Sequence, residues 1–145
     1  MLIRKMVPED LDELYRLLSD PAVMRFLEPE FTRERTEKFL SEAGMSDPPA
    51  VYAAEHDGRF IGYVIYHGYD EKSMEIGWVL LPEYWGKGLA SGLTELLISE
   101  ASASGKDAVI ECVPEQEATK RIALRYGFTY EGREDGLDIY RLRCS

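Results

Sequence analysis

Cysteine is scarce, with only Cys112 and Cys144 in 145 residues. Two residues so far apart have neither the spacing of a metal site nor the number of a disulfide framework, so the reading includes no metal. Basic residues are in deficit: 17 Lys and Arg stand against 27 Asp and Glu, for a net charge of −10. That balance argues against nucleic acid and anionic membranes as partners, since both are gripped by basic surface, and it attracts cationic ligands. No apolar run approaches the roughly 20 residues that cross a bilayer. The stretch Met1 to Val7 becomes charged at Arg4, too early for a secretory signal. There is no internal repeat, low-complexity tract or linker. A chain with 45% hydrophobic and 30% charged residues is then expected to be one cytoplasmic domain over residues 1–145.

What is present is a change of period along the chain. Leu2 to Val7 reads as a first strand. Pro8-Glu9-Asp10 opens a helix, with proline and acids in its first turn, and Leu11, Leu14, Tyr15, Leu17 and Leu18 follow at helical spacing. Ser19-Asp20-Pro21 ends it and starts a short second helix with Val23, Met24, Phe26 and Leu27 on its apolar face. Thr32 caps a third helix, anchored by Phe39 and Leu40. Gly44 to Ala50 is a loop. Strand spacing then takes over in Val51 to Glu55, an Asp57-Gly58 hairpin, Phe60 to Tyr66, a turn over Tyr69 to Lys72, and Met74 to Leu81. A helix from Leu89 to about Ser104 places Leu89, Leu93, Leu96, Leu97, Ile98 and Ala101 inward. Ala108 to Val113 is a strand and Glu117 to Tyr126 a helix. Two last strands meet at Asp135-Gly136. The order β-α-α-α-β-β-β-α-β-α-β-β predicts an α/β (α+β) fold. Its sheet is mixed, mostly antiparallel and twisted, with about six to seven strands and helices on both faces.

The stretch Leu80-Leu81-Pro82-Glu83-Tyr84-Trp85-Gly86-Lys87-Gly88-Leu89-Ala90 joins a strand to a helix through a glycine turn. The first N–H groups of a helix have no carbonyl partner and carry partial positive charge. Glycine lets phosphate approach that backbone. Two kinds of phosphate loop are disfavoured. Walker A needs Lys and a hydroxyl after its second glycine, where this chain has Leu89. The dinucleotide fingerprint needs a third glycine, where it has Ser91, and a βαβ context that the preceding antiparallel strands do not supply.

Trp85-Gly86-Lys87-Gly88-Leu89-Ala90 resembles the acyl-coenzyme A motif of the GNAT N-acetyltransferases, Gln/Arg-x-x-Gly-x-Gly/Ala, with Trp85 at the Gln/Arg position. The longer form Pro82-Glu83-Tyr84-Trp85-Gly86-Lys87-Gly88 is similar to the branch of ribosomal-protein N-terminal acetyltransferases. Two further segments agree. Gln116-Glu117-Ala118-Thr119-Lys120-Arg121-Ile122-Ala123-Leu124-Arg125-Tyr126-Gly127-Phe128, followed by Glu131-Gly132, resembles that branch's Asn-x-Ala-Ser-x-Arg-Val-Leu-x-Lys-Leu-Gly-Phe…Glu-Gly. Met74-Glu75-Ile76-Gly77-Trp78 resembles its Glu-Ile-Gly-aromatic strand.

The resemblance implies acetyl-CoA as co-substrate. Backbone N–H groups of Gly86, Lys87, Gly88, Leu89 and Ala90 would grip its pyrophosphate. The strand end Val79-Leu80-Leu81 would hydrogen-bond the pantetheine arm, and one of its N–H groups would polarise the thioester carbonyl. Gln116 and Thr119 either touch the cofactor or cap their helix. Lys87 either meets phosphate or is solvated. The acceptor is a primary amine, of a small molecule or a peptide N-terminus, and the acidic surface favours a cationic one.

A lysine-like amine titrates near 10.4, so on the order of one in a thousand is neutral at pH 7, and a general base helps. Glu75, an acid in an apolar strand just before the glycine turn, is the candidate; the other reading is a strand residue facing solvent. Many GNAT enzymes protonate the leaving thiolate with a tyrosine four residues before the Gly-Phe pair, and here that residue is Ala123. Thr119 or solvent remains, with Tyr126 read as packing. Phe26, Glu28 and Phe31 lie where the family borders its acceptor site. His67 reads as a surface residue or a substrate contact. The resemblance leaves monomer and homodimer open. The alternative to an enzyme is a non-catalytic acyl-CoA-binding or regulatory module.

Overall fold

The computed structural model describes residues 1–144. Seven strands form one sheet in the order β1-β2-β3-β4-β5-β7-β6. They are β1 (Leu2–Arg4), β2 (Val51–His56), β3 (Arg59–Asp70), β4 (Ser73–Leu80), β5 (Asp107–Cys112), β6 (Thr129–Glu134) and β7 (Leu137–Leu142). The helices are α1 (Leu11–Leu18), α2 (Pro21–Met24), α3 (Arg33–Phe39), α4 (Leu89–Ala103) and α5 (Glu117–Arg125). Every pairing is antiparallel except β4 with β5. The expected mixed sheet is therefore present.

Alternation along the strands divides the apolar residues between two faces. Ile76 and Leu80 of β4 and Ala108 and Ile110 of β5 pack with Leu89, Leu93 and Leu97 of α4 and Ala123 of α5. Val79 of β4, Tyr63 of β3 and Ala53 of β2 pack with Leu14, Leu17 and Leu18 of α1 and Val23 and Met24 of α2. One sheet thus carries two cores, which puts helices on both of its faces.

Several boundaries differ from expectation. β1 stops at Arg4 because that side chain is tied down at once. It donates to Asp10 at 2.8 and 2.9 Å and pairs with Glu55, while the Val7 amide donates to Asp10 at 2.8 Å. The chain turns there into the Pro8–Asp10 3-10 turn. β3 runs on to Asp70, so its turn shrinks to Glu71-Lys72, held by the Lys72 amide and the Ser73 hydroxyl on Asp70 Oδ1. Leu96 faces outward and is 42% exposed. The inward stripe of α4 is Leu89, Leu93, Leu97 and Ala101, and Leu96 lies one residue, about 100°, back from Leu97. The caps hold as read: Asp20 accepts from Ala22 and Val23, and Thr32 from Arg35.

The feature that positions the site is a split in the sheet. β4 and β5 pair only at Ser73, Met74 and Glu75 with Asp107, Ala108 and Val109. Beyond that, β4 stays with β3 to Leu80 and β5 stays with β7 to Cys112. Each strand keeps its outer neighbour and loses the inner one, so a wedge opens between them.

Candidate active site

Backbone groups line one side of the wedge. The Leu81 amide donates to the Ile61 carbonyl of β3 at 2.9 Å. Successive amides of a strand point in opposite directions, so Val79 and Leu81 turn toward β3 while Trp78 and Leu80 turn toward the wedge. The Trp85 indole confirms this direction, since its Nε1 donates to the Leu80 carbonyl at 2.8 Å. Leu81 is therefore no ligand contact: its amide is engaged and its side chain is fully buried against the α1 side. Val79 lines the cleft, although its amide turns toward β3.

The cleft has a volume of about 680 Å³, within the range of small-molecule sites. One wall is Trp78, Val79 and Leu80, then Tyr84, Trp85, Gly86, Gly88, Leu89 and Ala90. Gly86 and Gly88 hold φ values of 70° and 77°, a left-handed backbone that glycine adopts without strain. Gly88 is the N-cap of α4, and no side chain caps it. The first amides of α4 are thus left to a ligand, at the positive end of a helix dipole. Lys87 does not line the cleft; its Nζ stands 6.0 Å over the Tyr84 ring.

The facing wall is α5 and the turn before it. Gln116 lines the cleft, and its Oε1 accepts from the Val113 amide at 3.0 Å. It orders the wall without capping its own helix by side chain. Glu115, Glu117, Ala118, Thr119, Arg121, Ile122 and Arg125 complete this side. Arg121 and Arg125 have no site role assigned from the sequence, although their one-turn separation on a helix behind Gln116 marks one face. With Arg25 from the α2 end, they bring cations to the cleft of a chain whose net charge is −10.

Glu75 sits at the apex of the wedge, in the last pair before β4 and β5 part. It does not line the cavity. Trp78 begins three residues further along, about 10 Å at strand rise. Burial lifts the Glu75 carboxyl above the ordinary carboxylate range; His67 acts against this and Glu111 adds to it. His67 lies directly opposite on β3, its Nε2 3.6 Å from Glu75 Oε1. Glu75 is therefore neither a freely solvated strand residue nor part of the cofactor wall.

Ala123 is fully buried, so the position of the usual family acid holds only core packing. Tyr126 bridges helices: its hydroxyl meets Glu95 at 3.0 Å and the Ser91 carbonyl at 3.3 Å. Phe31 is core as well, edge-on to Phe39 and covered by Arg35. Phe26 and Glu28 instead line a second hollow of about 550 Å³ that shares Arg25, Phe26, Leu27 and Glu115 with the cleft. Among the described residues, no group of three or more His, Cys, Asp or Glu comes together as metal ligands, and no helix is long and apolar enough to cross a membrane.

Comparison with known proteins meets this geometry. The chain is 27% identical over 137 residues to the uncharacterized N-acetyltransferase YnaD of Bacillus subtilis (strain 168), covering 91% of this chain and 81% of that protein. The ribosomal-protein-alanine N-acetyltransferase of Brucella melitensis superposes with a TM-score of 0.75 at 21% identity, over 99% of both chains. The spermidine N-acetyltransferase of Vibrio cholerae, crystallised with CoA and spermine, superposes with a TM-score of 0.77 at 19% identity, over 97% of this chain and 92% of that one. Residues 1–129 match the family model for the acetyltransferase (GNAT) domain. The chain belongs to the GNAT acetyltransferase family.

Proposed function

We propose that this protein transfers the acetyl group of acetyl-CoA to a primary amine by direct attack in a ternary complex. The observation that carries the reading is the wedge itself. Strand amides of Trp78 and Leu80 face an open gap that runs into an uncapped helix N-terminus. Such a gap suits a ligand with amides in its middle and a pyrophosphate at one end. The amides of Leu89, Ala90 and the glycine turn hold the pyrophosphate. Arg121 and Arg125 add charge from the opposite wall. The pantetheine arm pairs with the wedge edge of β4 like an added strand, and an amide on that edge polarises the thioester carbonyl.

Glu75 accepts the amine proton through water, since it stands about 10 Å along the strand from Trp78. The neutral nitrogen then bonds to the acetyl carbon, the nitrogen gives its second proton to water as the carbon–sulfur bond breaks, and the thiolate takes a proton from solvent, directly or through the Thr119 hydroxyl, which solvent reprotonates. A thiol pKa near 8.5 makes that last demand small. The second hollow, with Glu28, Glu30 and Glu115, adjoins the cleft where an acceptor would enter. The Vibrio cholerae enzyme binds spermine on the same fold, which supports a cationic amine.

Calorimetric titration with acetyl-CoA, then thiol release with spermine and with an alanyl peptide, tests the reading. Saturable binding and amine-dependent thiol release are expected. No binding would sink it, and binding with no transfer to any amine would favour the acyl-CoA-binding module. Both tryptophans of the chain, Trp78 and Trp85, line the cleft, so acetyl-CoA should change intrinsic fluorescence saturably, and Trp85→Phe should lose much of that signal. The double variant Arg121→Gln, Arg125→Gln should bind acetyl-CoA about tenfold more weakly, roughly 1.4 kcal/mol. Its affinity should also fall less steeply with salt.

A further inference from the structure

Glu75 must lose the proton it gains before it can serve a second turnover, and the residues around it differ in their ability to take it. Glu111 faces it from β5 and carries the same charge. Tyr69 of β3 is pushed up to about 12 by burial and by the Glu111 carboxylate, with Glu134 of β6 adding to the effect. His67 is the remaining neighbour. It stands directly across the strand pair, with Nε2 turned to Glu75 Oε1 at 3.6 Å. Its other nitrogen, Nδ1, lies 3.1 Å from the Gly68 carbonyl oxygen. A carbonyl only accepts, so the neutral tautomer that bonds Gly68 carries its proton on Nδ1 and leaves the Nε2 lone pair to receive a proton from Glu75.

We propose that His67 is the proton exit of the site, taking from Glu75 the proton that Glu75 has removed from the acceptor amine and passing it to bulk water. This rests on the acetyl-transfer reading with Glu75 as base. The amine N–H bond breaks as an O–H bond forms on water, and that water's own O–H bond breaks as the Glu75 O–H bond forms. A side-chain shift of about half an ångström brings Nε2 into hydrogen-bond range. The O–H bond then breaks as Nε2–H forms, and the imidazolium gives that proton to water, restoring both groups. The geometry suits an exit. The His67 side chain is 38% exposed against 22% for Glu75, and it lies one strand, about 4.8 Å, further from the wedge. An amine seated over β4 covers Glu75 first and leaves His67 wet. His67 is a positioning residue in this scheme, since it meets the reaction only through Glu75.

His67→Gln and His67→Ala, assayed with acetyl-CoA and spermine or an alanyl peptide, provide the test. A kcat about tenfold lower at pH 7 is expected, with the acetyl-CoA Kd unchanged. The acid limb of kcat/KM should move to higher pH, because His67 favours the Glu75 carboxylate. Imidazole in the buffer should restore the rate of His67→Ala in proportion to its concentration. An unshifted limb without imidazole rescue overturns the proposal. Glu75→Gln run alongside separates the causes: if it too is unimpaired, the base assignment has failed rather than the exit alone. Long-range 1H–15N spectra above pH 8 need no acceptor, and with two histidines in the chain the His67 ring is identified by its loss in His67→Gln. An Nδ1–H ring is expected, and an Nε2–H ring overturns the proposal outright.

Discussion

Glu75→Gln should lower kcat for amine acetylation by about a hundredfold or more and leave the acetyl-CoA Kd within about twofold. The amide keeps the shape of the carboxylate and cannot accept the proton. It also removes a half-buried charge, so the variant should melt no lower than the parent. The base works deprotonated. Because burial lifts its pKa, kcat/KM of the parent should fall with decreasing pH at a point above the ordinary value of about 4.3. Glu111→Gln removes a like charge that raises this pKa, so it should carry the acid limb to lower pH. A Glu75→Gln enzyme that turns over at the parental rate under saturating substrates would take Glu75 out of the mechanism.

Gly62→Ala should be the most damaging small substitution in the chain. Gly62 lies on β3 opposite Leu80, with φ at 153°. A Cβ there would stand 2.0 Å from the Val79 carbonyl oxygen and 2.9 Å from the Leu80 Cα. Both are backbone atoms, so no side chain can swing aside. The clash and the glycine-only conformation together cost on the order of 3 kcal/mol or more, a fall in Tm of about 10 °C for a domain of this size. The strand that must yield is the wall of the cleft, so surviving protein should also bind acetyl-CoA more weakly. Gly68→Ala is the control, since a Cβ there meets nothing within 4 Å. Equal melting temperatures for the two variants would refute the packing account.

The parts of this protein legible in its sequence were those set by local chemistry. Proline, Asx and Thr caps placed the N-terminal helices, Asp-Gly placed two hairpins, and the two-residue period placed the sheet. The glycine turn announced itself because left-handed backbone and a strand-to-helix junction both leave marks in residue type. What stayed hidden depended on register. Leu81 and Leu80 look alike in sequence, but strand alternation gives one amide to β3 and the other to the wedge. Lys87 sits between two cleft glycines and points elsewhere. His67 reads as a surface residue or a substrate contact until pairing sets it across from Glu75, eight positions along the chain but adjacent in the sheet. Arg121 and Arg125 needed the facing wall to give their shared helix face a purpose.

The Trp85 indole on the Leu80 carbonyl has a further consequence, for solubility. A split sheet exposes an interior row of unpaired backbone groups, the kind of edge to which other chains add strands and aggregate. Natural edges are usually guarded by charge or proline. Here an aromatic side chain covers one of the open acceptors, from a loop that begins with Pro82. The residue that departs from the family's Gln/Arg position therefore doubles as an edge guard while the cleft is empty. Trp85→Ala protein without cofactor should accordingly aggregate faster on standing, and saturating acetyl-CoA should slow that aggregation by supplying the missing strand itself.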